Sequence, residues 1–212
     1  MSGPQRLLMA GGSSAPITVT DSFDRADSTT SMGNADTGQA WVPRAGSSAV
    51  WGIISNEAYQ PTNGTGTNKY EHASIDVGAS NIDMSVDITA AQAGNSVSGG
   101  IMFRYTGITD YWDFIFNRSG AGALGWFLQY RTAGGFTTIA SGTPGAITGT
   151  LRIVDNGVNS ITAYINGASV ATSSNTTHAG GTRQGIMCRY SSSGGANSGT
   201  GWRYNNYSMV GT

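Results

Sequence analysis

From residue 17 onward, apolar side chains recur at every second position and almost nowhere at the three-to-four spacing of a helix. In residues 81–88, Ile82, Met84, Val86 and Ile88 fall on one face and Asp83, Ser85 and Asp87 on the other. Successive side chains of a strand point to opposite faces, so this segment reads as a strand with one buried and one wet face. Residues 100–105 alternate Ile101, Phe103 and Tyr105 against Met102 and Arg104. Residues 110–116 alternate Trp112, Phe114 and Phe116 against Tyr111, Asp113 and Ile115. A single sheet patterned in this way leaves an apolar face in water, so the apolar rows must close against a second sheet.

Turn chemistry sets the connections. Thr106-Gly107-Ile108-Thr109 joins the last two runs as a hairpin. Residues 151–155 and 161–165 pair around Asp155-Asn156-Gly157, and Asn166-Gly167 supplies the next reversal before 168–172. Residues 125–131 and 136–140 flank Ala133-Gly134-Gly135. About twelve to fourteen short strands in this rhythm predict an all-β sandwich of two antiparallel sheets over residues 19–212, with no helix. Gly100-Ile-Met-Phe-Arg-Tyr105 recurs as Gly185-Ile-Met-Cys-Arg-Tyr190, which suits two strands in like environments of one sheet. That parity puts Arg104 and Arg189 on one face, and Phe103 and Cys188 in the core. Residues 1–18 precede the domain as an extended arm. Gly11-Gly12-Ser13-Ser14-Ala15-Pro16 has linker composition, and Leu7, Leu8 and Met9 form a patch too short to fold alone. The arm is either a frayed terminus or a docking peptide that orders against another subunit.

Charge excludes several partners. With 12 acidic and 11 basic side chains (net −1), nothing draws the chain to nucleic acid or an anionic membrane. Charged residues are 11% of the chain, against roughly a quarter in an ordinary domain, and 32 residues are Gly. The single cysteine, Cys188, excludes a disulfide framework and reads as a small buried hydrophobe. No apolar run is long enough to span a bilayer, and residues 1–10 lack the apolar stretch of an export signal. A Gly/Ser/Thr-rich surface without an export signal fits a virion component assembled in the host cytoplasm and released by lysis.

The order of several segments carries a resemblance. These are Asp21-Ser-Phe-Asp-Arg-Ala-Asp27, Trp41, Trp51-Gly-Ile-Ile-Ser-Asn-Glu-Ala-Tyr59, and Gly100-Ile-Met-Phe-Arg-Tyr105 with Tyr111-Trp112 after it. Leu151-Arg-Ile-Val154, Ile161-Thr-Ala-Tyr-Ile-Asn-Gly167 and the closing Trp202-Arg-Tyr-Asn-Asn-Tyr-Ser-Met-Val210 complete the set. Together they resemble the concanavalin A-like (laminin G-like) jelly rolls of bacteriophage minor tail and other virion structural proteins. The resemblance implies two antiparallel sheets, one of them concave. Some members bind glycans on that face, some hydrolyse them, and many in phage tails are structural. Asn205-Asn206 stands where relatives often carry an Asp, so where that Asp helps hold calcium in some relatives the resemblance does not carry the site over to this chain.

Chemistry-bearing residues are sparse. A glycosidase needs two carboxylates facing each other across about 5–9.5 Å. The Glu-x-Asp-x-x-Glu cluster of hydrolytic relatives is missing, and the two glutamates, Glu57 and Glu71, lie in separate segments. Asp83 and Asp87 share a face but sit about 13 Å apart on an extended strand, and Asp110 and Asp113 point to opposite faces. No nucleophile elbow, phosphate loop or His-Glu-x-x-His motif is present, and His72 and His178 read as isolated surface residues. Asp21, Asp24 and Asp27 surround Arg25, which points to a strand-end salt bridge rather than a calcium loop. A glycan contact on the central strands would use Arg104, Tyr111, Asp113, Gln129, Arg131 and Arg189, joined by Trp126 if its strand runs in the opposite parity. The competing reading is that Arg104, Asp113 and Arg189 pair with one another under Tyr111.

These observations predict a non-enzymatic virion structural protein, a minor tail protein, without cofactor or metal, present in several copies or as a homo-oligomer. It would dock to other virion proteins through Leu7, Leu8 and Met9 and touch host-surface glycans. The alternatives are a carbohydrate-binding module, a capsid decoration protein and, last, a glycoside hydrolase.

Overall fold

The computed structural model describes residues 15–45, 50–62, 69–90, 97–119, 122–190 and 201–212. Among them lie fifteen strands and no helix. The first five are β1 (Ile17–Asp21), β2 (Val42–Ala45), β3 (Val50–Ile54), β4 (Glu57–Thr62) and β5 (Lys69–Asp76). The long central strands follow: β6 (Asn81–Ala90), β7 (Val97–Gly107), β8 (Asp110–Arg118), β9 (Leu124–Thr132) and β10 (Gly135–Gly142). The last are β11 (Gly149–Asn156), β12 (Ile161–Ile165), β13 (Ala168–Ser173), β14 (Arg183–Tyr190) and β15 (Arg203–Gly211).

They form two sheets in which every named pairing is antiparallel. The eight-stranded sheet runs β13-β12-β11-β6-β15-β4-β3, with β1 also paired to β15. The seven-stranded sheet runs β10-β9-β8-β7-β14-β5-β2. This is the two-sheet sandwich that the alternation predicts. Every hairpin named from turn chemistry is present: β7–β8, β9–β10, β11–β12 and β12–β13. Asn166 (φ 50°) and Gly167 (φ 81°) turn the last of these with two left-handed residues, the backbone that the Asn-Gly pair favours. β1 starts at Ile17, so Ile17 and Thr18 belong to the sheet and not to the arm. Leu7, Leu8 and Met9 lie outside the described residues.

The inner faces share one core. Val86, Ile88, Leu151 and Ile153 from the larger sheet meet Phe103, Trp112, Phe114 and Phe116 from the smaller, each 1% exposed or less. Gly99 is a packing requirement, because a Cβ there would come within 2.4 Å of the Trp202 indole. The echoed strands β7 and β14 are neighbours, and Phe103 and Cys188 are both fully buried in the core, as their parity predicts.

Arg104 departs from that parity. In the β7–β14 ladder Gly185 faces Met102 and Arg183 faces Tyr105, so Phe103 and Arg104 together oppose Gln184 alone. This is a β-bulge, with Arg104 at φ 49°. The extra residue turns the Arg104 side chain inward and sends Tyr105 outward, the reverse of simple alternation. Arg104 is fully buried and forks onto Asp155 of β11 in the opposite sheet: Nε donates to Oδ2 and Nη2 to Oδ1, both at 2.6 Å. Nη1 donates to the carbonyls of Asn175 (3.1 Å) and Thr177 (3.3 Å), and Nη2 also to that of Val158 (3.4 Å). All five guanidinium protons thus have acceptors, which a charge removed from water requires.

Removing one partner strands the other charge in the core. Arg104→Met is expected to lower unfolding free energy by about 3–5 kcal/mol, and Arg104→Met with Asp155→Leu by clearly less. Urea denaturation midpoints of the two variants check this; equal losses would count against the pair as a cross-sheet fastening.

Candidate functional site

The outward side chains of the seven-stranded sheet gather a cluster of polar and aromatic groups. Cross-strand register sets them in rows: Tyr111 faces Arg131, Asp113 faces Gln129, Arg131 faces Phe136, Asp113 faces Met102, and Tyr70 faces Arg189. The sheet curls so that distant strands meet. β10 and β5 are five strand spacings apart in the order, about 24 Å in a flat sheet. Even so, the Phe136 and Tyr70 rings lie 5.1 Å apart. The outer face is therefore a concave trough whose two sides touch across its width.

Two arginines complete that crossing. Arg131 Cζ lies 4.2 Å from the Tyr70 ring centre and 5.4 Å from that of Phe136, and Arg189 Cζ lies 5.1 and 5.2 Å from the same rings. Guanidinium planes and ring faces attract at these distances. Beneath this partly exposed layer sit Tyr111, Asp113 and His72, all fully buried, with Met102, Met187 and Gln129. Beside it, Asn117, Gly125, Phe127, Ser141, Gly142 and Thr143 line much of a cleft of about 320 Å³.

The buried groups are held uncharged. His72 Nδ1 lies 3.0 Å from the Arg44 carbonyl, which only accepts, so Nδ1 carries the proton and Nε2 the lone pair. Its ring meets Tyr111 edge-on at 4.5 Å and Tyr105 at 5.8 Å. Burial pulls its pKa down to about 4, with the nearby Arg131 charge acting in the same direction. Burial pushes Asp113 up to about 8, against the Gln129 amide that donates to Oδ2 (3.3 Å) and the charges of Arg189 and Arg131. Tyr111 is raised by burial and by Asp113. Near neutral pH the trough therefore carries the arginine charges over a floor with almost none.

The predicted site residues divide. Tyr111, Asp113, Gln129, Arg131 and Arg189 share this face. Arg104 does not: its bulge turns it into the core, so the pairing of Arg104, Asp113 and Arg189 with one another is replaced by Arg104–Asp155. Trp126 also turns inward, opposite Phe116, and packs edge-on against Phe114 at 6.2 Å. His72 is at the trough floor and not on the surface. His178 is partly buried, with Nε2 at 2.7 Å from the Arg131 carbonyl. Sequence reading misses Tyr70, Phe136 and Arg44. The Tyr70/His72/Ser74 row alternates with Glu71/Ala73/Ile75, and a Glu in the inward row hides the strand signal. Phe136 is visible only as a strand residue, because nothing local says that its edge of the sheet curls toward Tyr70.

No three metal-ligating side chains converge among the described residues. Asp21 holds Arg25 through two hydrogen bonds (2.9 and 2.7 Å) and accepts from Trp41 Nε1 (2.6 Å), which is the strand-end salt bridge expected there. Asn206 donates to Asp87 Oδ2 at 2.8 Å.

No protein-family model matches the sequence, and no curated protein sequence matches it. Solved structures do share the fold. A β-glucanase from Bacillus licheniformis is 12% identical with a TM-score of 0.58, covering 92% of this chain and 98% of the other. β-Agarase A from Zobellia galactanivorans is 13% identical with a TM-score of 0.54, covering 92% and 93%. A carbohydrate-binding module from Bacillus subtilis is 11% identical with a TM-score of 0.50, covering 81% and 92%. The fold is a concanavalin A-like jelly roll.

The buried floor makes stability depend on pH in a definite sense. A carboxyl raised in the folded state loses stability as pH climbs from its unfolded value to its folded one, here from about 4 to about 8. His72, lowered, loses stability as pH falls from about 6.5 to about 4. Between pH 6.5 and 8 only Asp113 of these two still acts, so unfolding free energy should drop by roughly 1–2 kcal/mol across that window. Asp113→Asn should flatten the drop, as read from denaturation curves at the two pH values.

Proposed function

We propose that this chain is a non-catalytic glycan-binding jelly roll that serves as a structural part of a bacteriophage virion, with the concave face of the seven-stranded sheet as its contact surface. The observation that carries the glycan reading is the partly exposed Tyr70/Phe136 ring pair framed by Arg131 and Arg189. Sugar rings offer apolar C–H faces that pack on aromatic rings, and hydroxyls that accept from planar N–H groups. The shared fold supports it: the solved structures named above are a carbohydrate-binding module and two enzymes whose names, glucanase and agarase, refer to polysaccharides.

The carboxylates support binding without hydrolysis. Glycoside cleavage requires an acid and a second carboxylate flanking the bond. On this face Asp113 is fully buried under the arginine–aromatic layer. Asp76 points to the same side from three strands away and is engaged by Arg183 (3.1 Å) and Thr182 (2.8 Å).

A glycan array probed with the wild-type chain and with Tyr70→Ala and Phe136→Ala tests the reading. Retention of a polysaccharide, weakened at least about tenfold by either substitution as stacking losses imply, is the expected result. Silence on the array, or binding that ignores both rings, would sink it.

The virion setting rests on the resemblance of the ordered motifs between residues 21 and 210 to phage tail jelly rolls, and on the low charge. It places the chain in the particle in several copies, with residues 1–16 docking to other virion proteins. Because β1 begins at Ile17, removal of residues 1–16 should leave the sandwich folded yet absent from particles. Unchanged incorporation into purified virions would defeat the docking role.

A further inference from the structure

The concave face is short of negative charge. Ten of the eleven basic side chains are arginines. Four of them, Arg25, Arg104, Arg152 and Arg183, each meet an aspartate at 2.6–3.1 Å. Arg44, Arg131 and Arg189 have no carboxylate within 4.0 Å among the described residues, which include all twelve acids of the chain. All three lie on the concave side, by the pairings Arg44 with His72, Arg131 with Tyr111 and Arg189 with Tyr70. Three arginines without a carboxylate partner within 4.0 Å thus share one trough in a chain of net charge −1.

The arginine geometry is suited to oxyanions. Arg131 and Arg189 each lie over the Tyr70 and Phe136 rings, and neither directs its fork onto a carboxylate within 4.0 Å among the described residues. Arg131 gives one N–H to the Ile108 carbonyl at 3.3 Å. Stacking holds each fork in place before a ligand arrives, so less side-chain freedom is lost on binding. A fork of this kind matches the two coplanar oxygens of a carboxylate, or two oxygens of a sulfate, far better than an isolated hydroxyl.

Resting on the glycan-binding reading above, we infer that the ligand of this face is an acidic polysaccharide whose repeating oxyanion groups dock on Arg131 and Arg189, with Arg44 adding charge at the rim. The uncharged floor does not oppose that attraction, and the hydroxyls of a neutral glycan would accept from the guanidinium groups singly and without charge.

The test uses the full chain and four polymers in matched pairs: polygalacturonate against its fully methyl-esterified form, and dextran sulfate against dextran. Binding is measured by calorimetry at 150 mM salt, where bulk attraction between exposed charges is screened beyond about 8 Å. The expected result is that at least one charged polymer binds ten times or more tighter than its neutral partner. The first pair reports a carboxylate ligand and the second a sulfate. Arg131→Lys and Arg189→Lys, which keep the charge and lose the fork, should each weaken binding of that charged polymer by about tenfold with melting temperatures close to wild type.

Neutral partners bound as tightly as charged ones would overturn the acidic specificity and leave glycan binding standing. So would failure of all four polymers when the array retains some other, uncharged glycan. Charged polymers bound equally by wild type and both lysine variants would reduce the effect to bulk attraction and overturn the inference. If neither the array nor the four polymers retain the chain, this inference and the glycan reading fall together. Should a lysine variant unfold, the wild-type comparisons of each charged polymer with its neutral partner still decide.

Discussion

Arg104 and Asp155 meet in the middle of the sandwich, one from each sheet, with the guanidinium saturated by two carboxylate oxygens and three carbonyls. Stacked β-sheets usually hold together through apolar area alone, which is non-directional and tolerates sliding. A bidentate pair out of water tolerates none, because a displaced fork leaves a bare charge. The carbonyls of Val158, Asn175 and Thr177 lie in the segments that follow β11 and β13, so the same contact anchors those connections. Trp112 joins the same network, donating from Nε1 to Thr177 at 2.8 Å.

The bulge that turns Arg104 inward also shapes the outer surface. By shifting parity one step it directs Tyr105 outward, where its ring stacks at 6.2 Å against Tyr111 and meets His72. One extra residue in β7 therefore fastens the sheets on one side and helps build the trough floor on the other. The floor itself is apolar in effect though not in composition. His72, Tyr111 and Asp113 are uncharged because burial penalises each charged form, and the arginines above them carry positive charge over that floor.

Much of the architecture was legible in residue order, for a local reason. A strand side chain faces one way or the other according to position parity, so Trp112/Phe114/Phe116 and Tyr111/Asp113/Ile115 separated correctly without knowledge of their neighbours. Asn-Gly and Gly-Gly pairs located the hairpins because left-handed backbone is cheap only for a few residue types. The echo between β7 and β14 correctly marked two strands of one sheet, and the structure adds that they are neighbours. The same logic failed for Tyr105 and Arg104, since alternation carries no sign of a bulge; a bulge is a property of two strands compared. For Trp126 both parities were open, and pairing with Phe116 closed the question. His72 looked solvent-exposed because a polar stretch surrounds it in sequence, while its real neighbours come from β7 and β8.

Residue order alone therefore established two antiparallel layers, their turns, most of their inward rows and the scarcity of paired acids, all of which depend on contacts between near neighbours or on simple counting. Which polar residues form the trough was settled by folding in three dimensions. Sheet curvature brings β5 within ring contact of β10, and that curvature is the sum of twist, bulges and core packing over seven strands. No short window of the chain contains that sum, and so Tyr70, Phe136 and the burial of Asp113 became visible only once the sheet had closed on itself.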